Sequence, residues 1–149
     1  MRKSITLILS TFFFFYCSSI KYNEQSNNSG NRTVQLPASV STSNGFRIFW
    51  KDIESDSRGF QAMDEYKPSA ALISKYALRK INNQYRVSGF IQLNDDFDFQ
   101  ALRNINGQVT DYSATFKSFS IPVNKIVIFV HLKGIRRIEM NIRINTINQ

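Results

Sequence analysis

The strongest constraint on the fold is the alternation of apolar and polar residues near the C-terminus, in the run IRRIEMNIRIN. One set of alternate positions is apolar, and the other set carries charged or amide side chains. The apolar set is Ile138, Met140, Ile142 and Ile144, and the polar set is Arg137, Glu139, Asn141 and Arg143. Because successive side chains of a β-strand point to opposite faces, the pattern predicts a strand with one face on a core.

Three further strands are predicted before this run. In YRVSGFIQL, which begins at Tyr85, successive residues point to opposite sides of a strand. Arg86, Ser88 and Phe90 lie on the side away from the core. QVTDY and TFKSFSI are short runs of strand type around Ser113. The four predicted strands provide one polar and one apolar sheet face.

Two helices are predicted between these strands. NDDFDFQALRNING starts with acidic residues that suit a helix N-terminus, so Asn94, Asp95 or Asp96 is expected to cap it. VNKIVIFVHLK follows Pro122 and precedes Gly134, which favours a helix despite its β-branched content.

The order from residue 85 to residue 144 is therefore strand, helix, strand, strand, helix, strand. Right-handed connections then predict an α+β domain of ferredoxin-like β-α-β-β-α-β type, an antiparallel sheet with two helices on one face. Residues 45–84 are predicted to form an N-terminal extension with an extra helix at 69–82, in which FRIFW is a short strand or an aromatic anchor. Residues 145–149 form a tail.

The first 17 residues are predicted to be a signal peptide. Arg2 and Lys3 precede the apolar run ITLILSTFFFFY, which is shorter than the roughly 20 residues of a membrane span. The run ends at Cys17, which resembles the lipidated cysteine of bacterial lipoproteins, although Tyr16 is larger than the small residue those signals carry there. Cleavage after the apolar run near Ser18, and an uncleaved anchor, remain open. We expect an exported protein of the bacterial cell envelope, attached to the membrane by a lipid.

Residues 18–44 are rich in Ser, Asn, Thr and Gln, and they contain few large apolar side chains. Such a segment buries too little surface to offset the entropy of ordering it. We therefore interpret residues 18–44 as a flexible tether between the signal and the folded domain.

The residue counts argue against several kinds of site. One cysteine and one histidine, His131, exclude a metal site with several Cys or His ligands. The acidic residues Asp95, Asp96 and Asp98 are interpreted as helix capping, and His131 as a structural or exposed residue without a catalytic partner. We expect no enzymatic activity, no cofactor and no metal.

The net charge of +8 raises the question of nucleic acid. A sheet that recognises RNA places aromatic residues at set positions on its central strands. Phe90, Phe116 and Phe119 are the candidates here, but the glycine-aromatic signature of such sheets is missing. An export signal also separates the protein from most nucleic acid, so we expect no nucleic-acid partner.

The stretch from VSGFIQL to GIRRIEMNI resembles the N-terminal prodomain of bacterial subtilisin-type serine peptidases. The resemblance rests on Leu102 and Gly107 in LRNINGQVTDY, and on the FSIPVNKIVIFVHLKGIRRIE run. It implies a domain that packs its open sheet face on a peptidase, lays its C-terminal tail in the active-site cleft, and acts as inhibitor and folding chaperone. The implied contact residues on the last strand are Arg137, Glu139 and Asn141. Those of the cleft-binding tail, which the resemblance places at Arg143 to Gln149, are Arg143, Asn145, Asn148 and Gln149.

The 149 residues contain none of the Asp-Thr-Gly, His-Gly or Gly-Thr-Ser-type motifs of subtilisin-type peptidases. The resemblance therefore implies either an inhibitor or chaperone that acts on a separate peptidase, or the remnant of a shortened gene. The alternative is a structural envelope lipoprotein that keeps the architecture without a peptidase partner, because one fold carries many functions.

Overall fold

The computed structural model describes residues 34–140. The predicted signal peptide, Cys17 and most of the tether lie outside the described residues, as do Asn141, Arg143, Asn145, Asn148 and Gln149. The helices are α1 (Asn44–Asp56), α2 (Ala70–Lys75), α3 (Phe99–Asn104) and α4 (Ile126–Val130). The strands are β1 (Ser41–Thr42), β2 (Arg79–Ile81), β3 (Gln84–Leu93), β4 (Gln108–Asp111), β5 (Lys117–Pro122) and β6 (Ile135–Glu139). Two short 3-10 helices cover Met63–Glu65 and Val123–Lys125.

The strands form one mixed sheet in the order β1-β6-β3-β5-β4, and β2 pairs with the first part of β3. β3 lies antiparallel to both β5 and β6, and β4 lies antiparallel to β5. β1 is the parallel addition, at the outer side of β6. The predicted α+β class is therefore confirmed, with six strands and four α-helices in the described part of the chain.

One hydrophobic core lies between one face of this sheet and the helices. The sheet contributes alternate residues that are almost completely buried, as the sequence pattern predicts. They are Val87, Ile91, Phe119, Ile121 and Ile138. The helices contribute to the same cluster with Phe49, Leu102, Ile126, Phe129 and Val130, among others. Leu72 of α2 belongs to the same cluster, so all four helices contribute to the core on this face, and no described helix packs on the other face of the sheet.

The FRIFW segment is part of helix α1, so the predicted strand was wrong. Phe46, Phe49, Trp50 and Ile53 are all buried, and their spacing is that of one helix face. Ser43 caps the helix, because its side chain accepts a hydrogen bond from the backbone N–H of Phe46 at 3.2 Å. The interpretation as an anchor of aromatic residues on the domain's own core agrees with this burial.

The predicted tether ends earlier than residue 44. Val40 is buried, and β1 pairs with β6 through Ser41 and Thr42. The backbone N–H of Ser43 also donates to the carbonyl of Ile138 at 3.0 Å. Residues 40–44 belong to the folded domain because they complete the sheet, which their polar composition did not indicate.

The predicted helix at 69–82 is correct in its first half only. Ser69 caps α2 as expected, but the helix ends at Lys75 and Ala77 adopts a left-handed φ of 48°. Residues 79–81 form β2, and a two-residue turn returns the chain to β3. Asn82 and Asn83 have φ values of 48° and 63°, the left-handed conformation that such hairpin turns require and that Asn tolerates. The sheet pairing outweighed the helical pattern of the sequence.

Candidate binding face of the sheet

The uncovered side of the sheet, which we call the open face, is built from residues that alternate with the core residues. Cross-strand pairing sets them side by side: Ser88 pairs with Ser120, Ser120 pairs with Gln108, and Ser118 pairs with Thr110. The full set is Ser88, Phe90, Gln92, Gln108, Thr110, Ser118, Ser120, Arg137 and Glu139. These side chains are exposed or half-buried. Small side chains with hydroxyl groups therefore occupy the middle of the open face, which makes it polar and leaves few protruding side chains there.

The two predicted contact residues within the described chain lie on the open face. Arg137 pairs across the strands with Gln92, and Glu139 pairs with Phe90. Their side chains form an ion pair with 2.6 Å between Nε of Arg137 and Oε1 of Glu139. The two charges cancel each other locally, so this edge of the open face presents hydrogen-bonding groups with little net charge. β6 is also flanked by β1, so it is not an edge strand.

An aromatic pair provides the apolar part of the open face. The rings of Phe90 and Tyr112 lie 4.5 Å apart between centroids and are tilted by 48°. Tyr112 follows β4 and remains 68% exposed. Large exposed aromatic residues with a polar tip are frequent at protein interfaces, where they contribute much of the binding energy. The sequence pattern placed Phe90 on this side but gave no indication of Tyr112.

Arg86 lies at one end of the open face, and its environment differs from the predicted solvent-exposed one. Only 8% of the residue is exposed. Its guanidinium donates to Oγ of Ser120 at 3.0 Å, to the carbonyl of Ser120 at 2.6 Å and to the carbonyl of Asn106 at 2.8 Å. Burial lowers the pKa of Arg86 below its usual range. Alternation correctly predicts its face, but not its hydrogen bond to Asn106, which follows α3.

The residues considered for catalysis are used structurally where their contacts are described. Asp98 caps α3 by accepting from the backbone N–H of Ala101 at 2.8 Å, so the cap lies later than the predicted Asn94, Asp95 or Asp96. Asp96 pairs with Lys133 at 3.3 Å. The Nδ1 atom of His131 lies 2.8 Å from the carbonyl oxygen of Val127, one helical turn earlier.

Two aspartates of α1 connect it to the following segment. Asp52 accepts hydrogen bonds from Lys75 at 2.6 Å and from the Tyr76 hydroxyl at 2.5 Å. Asp56 accepts from the Tyr66 hydroxyl at 2.6 Å. Burial raises the pKa of each carboxyl, but the hydrogen bonds outweigh it, and both pKa values lie below the usual value. The pKa values of both tyrosines rise through burial and the neighbouring carboxylate.

Comparison of the chain with protein families, with curated proteins and with solved structures found no match. Within residues 34–140, no group of three or more His, Cys, Asp or Glu side chains could hold a metal ion. The helices described for that range are also too short or too polar to cross a membrane. A function for the chain therefore has to be inferred from its own residues.

Proposed function

We propose that the chain is an exported, lipid-anchored protein-binding module that resembles a subtilase prodomain and acts as an inhibitor or folding chaperone of a separate serine peptidase. The observation that carries the proposal is the open face. All four helices lie on the other side of the sheet, and small polar residues with one aromatic pair remain available for contact. A sheet face with small side chains suits contact with a large, preformed protein surface.

We further propose that the chain from β3 to β6 is a ferredoxin-like unit. The element order β3, α3, β4, β5, α4, β6 is consistent with it. The neighbour order β6-β3-β5-β4, with antiparallel contacts throughout, also supports it. α1, α2, β1 and β2 are then additions that enlarge the core and extend the sheet.

The second contact of the proposed mechanism is the tail. β6 ends at Glu139, and the proposed tail, Arg143 to Gln149, carries Arg143, Asn145, Asn148 and Gln149. In the proposed complex this segment lies extended in the peptidase cleft. An extended peptide gains affinity from main-chain hydrogen bonds and specificity from its side chains. The open face would hold the domain in place while the tail blocks the cleft.

The test is an inhibition assay with the full chain, purified in mild detergent, and a subtilisin-type peptidase encoded beside it. The proposal predicts inhibition with a constant in the nanomolar to micromolar range. A variant that lacks residues 143–149 should keep its thermal stability and lose at least tenfold in inhibition, because it retains the open face alone.

A matched control changes residues 143–149 to Gly-Ser repeats of equal length. This variant keeps the length of the chain and lacks the native side chains of residues 143–149. Inhibition that is equal in the full chain and the shortened variant would refute the tail in the cleft. A folded chain that inhibits no such peptidase would favour the alternative, a structural envelope lipoprotein.

A further inference from the structure

We propose that the protein binds an oxyanion, a carboxylate or a phosphate group, in a pocket between Arg86 and Arg103. The pocket has a volume of about 380 Å³. It lies where the β2–β3 turn approaches the end of α3 and the start of β4. Its walls are formed by Ile81, Asn82, Gln84, Arg86, Arg103, Asn106, Gly107 and Gln108. This inference does not depend on the peptidase proposal.

The buried charge of Arg86 is the first argument. The residue is 8% exposed, yet its three hydrogen bonds all go to neutral oxygen atoms. Arg86 forms no ion pair with any carboxylate of residues 34–140. Removing a charge from water is unfavourable unless an opposite charge compensates for it. Within residues 34–140, this largely buried cation therefore has no carboxylate partner.

The guanidinium of Arg86 also has unused donor capacity. Arginine carries five N–H groups, and the bonds to Ser120 and Asn106 occupy Nε and Nη2. This leaves the two N–H groups of Nη1. No completely buried side-chain nitrogen in the described range lacks a partner, so Nη1 reaches solvent. Arg86 lines the pocket, and the proposal assigns these two donors to a ligand there.

Arg103 supplies a second cation to the same pocket. It projects from α3 and donates through Nη2 and Nε to Oε1 of Gln100, at 2.8 and 3.3 Å. Within the described part of the chain it makes no ion pair with a carboxylate. Among the described residues, no Asp or Glu belongs to the pocket wall, whereas Asn82, Gln84 and Gln108 add amide groups.

Two guanidinium groups with adjacent amides and no acid match the planar or tetrahedral oxygen array of a carboxylate or a phosphate. Arg86 also joins β3 and β5 to the end of α3, and this structural role accounts for its three hydrogen bonds. It does not account for the second arginine, for the free Nη1 donors or for the absence of an acidic neighbour. An oxyanion would supply the missing counter-charge.

The test measures the melting temperature of the full chain in mild detergent at constant ionic strength, with chloride replaced stepwise by phosphate or by acetate. A bound anion stabilises the folded state in proportion to the logarithm of its concentration above the dissociation constant. At a tenfold excess over that constant, we expect a rise of about 3–5 °C for a domain of this size. A rise with phosphate alone indicates a phosphate site, and a rise with acetate alone indicates a carboxylate site. A rise with both indicates a site for either oxyanion.

Arg103→Gln should remove the rise, because it removes one of the two cations of the pocket. The Arg103 side chain is exposed, so this substitution should not disturb the fold. Arg136→Gln, an equal change of charge at an exposed position of β6, should retain it. Arg86→Met should also lose the rise where the variant folds. A rise of equal size in Arg103→Gln and the parent protein is the general effect of excluded salts and would overturn the proposal. The absence of a rise with either anion would also overturn it.

Discussion

The hydroxyl of Ser43 accepts a hydrogen bond from the backbone N–H of Met140 at 3.1 Å and so joins two positions 97 residues apart in the chain. The same oxygen accepts from the backbone N–H of Phe46 at 3.2 Å and caps α1. One side chain thus fixes the start of the first helix against the end of the last strand. The N-terminal segment is therefore part of the domain that presents the open face.

We predict that Ser43→Ala lowers the free energy of unfolding by about 2 kcal/mol, because it removes a helix cap and leaves the Met140 N–H without its acceptor. Urea denaturation followed by circular dichroism measures this change. Ser74→Ala, at an exposed position of α2, should change the stability by less than about 0.5 kcal/mol. Equal stability of the two variants would show that the Ser43 contacts are dispensable.

The aspartate contacts predict an acid-dependent loss of stability. Asp52 and Asp56 have lower pKa values in the folded protein than the usual 3.8, because hydrogen bonds outweigh the effect of burial. Groups with a depressed folded pKa stabilise the protein at pH values above the unfolded pKa, and this stabilisation is lost as the pH falls through the folded pKa. The free energy of unfolding should therefore decrease as the pH is lowered below about 4.

Asp52→Asn should be less stable than the parent protein at pH 7 and should show a shallower decrease below pH 4. Asp95→Asn, which removes one negative charge at an exposed position, is the matched control and should leave the stability at pH 7 unchanged. Denaturation midpoints at a series of pH values provide the comparison. If the stability of the parent protein does not change between pH 5 and the pH at which it unfolds, the stabilising role of Asp52 and Asp56 would be contradicted.

Gly89 lies on β3 close to the backbone of β6. A Cβ atom at this position would lie 2.4 Å from the carbonyl oxygen of Glu139 and 2.9 Å from the Phe119 ring. Both are below any normal contact distance, so we predict that Gly89→Ala destabilises the protein by about 1–3 kcal/mol. Ser88→Ala, on the open face of the same strand, should have a much smaller effect on thermal unfolding. If Gly89→Ala is as stable as the parent protein, β6 can move away from β3 without loss of stability.

The aromatic pair of the open face predicts a binding effect without a stability effect. Tyr112 is 68% exposed, so its removal exposes little core. If Tyr112 is buried by the partner, Tyr112→Ala should weaken binding about tenfold or more, as truncated interface aromatics commonly do. Ile128→Ala, at an exposed apolar position on the helix side, should bind as the parent does. Surface plasmon resonance with the immobilised peptidase would show the difference, and equal affinities would remove Tyr112 from the interface.

The sequence predicted the parts of the fold in which local pattern and tertiary environment agree. The alternation of Val87, Ile91 and Ile138 specified the core side of the sheet, and their burial confirms it. Pro122 and Gly134 bounded the last helical segment correctly, although its first turn is a 3-10 helix. In the strands a one-residue shift would exchange the buried and exposed faces, so the pattern there is unambiguous.

The remaining features depend on contacts between distant parts of the chain. The polar residues Ser41 and Thr42 form a strand because β6 offers them an unpaired edge, which composition does not reveal. FRIFW contains a helical repeat, but only when the later Ile53 is included. The burial of Arg86 follows from the position of Asn106 at the end of α3. The sheet face on which Arg137 and Glu139 lie was predictable, whereas the position of Tyr112 beside Phe90 depends on the course of the chain after β4.

The most direct test of the central claim is the inhibition of a subtilisin-type peptidase by the full chain and by Ser118→Arg. Ser118 lies in the middle of the open face between Phe90 and Thr110, so an arginine there would hold a partner away from the sheet. Ser74→Arg introduces the same side chain on the helix side. The account predicts that Ser118→Arg raises the inhibition constant at least tenfold, while Ser74→Arg leaves it unchanged. Equal inhibition by all three proteins would contradict a role for the open face in binding the peptidase.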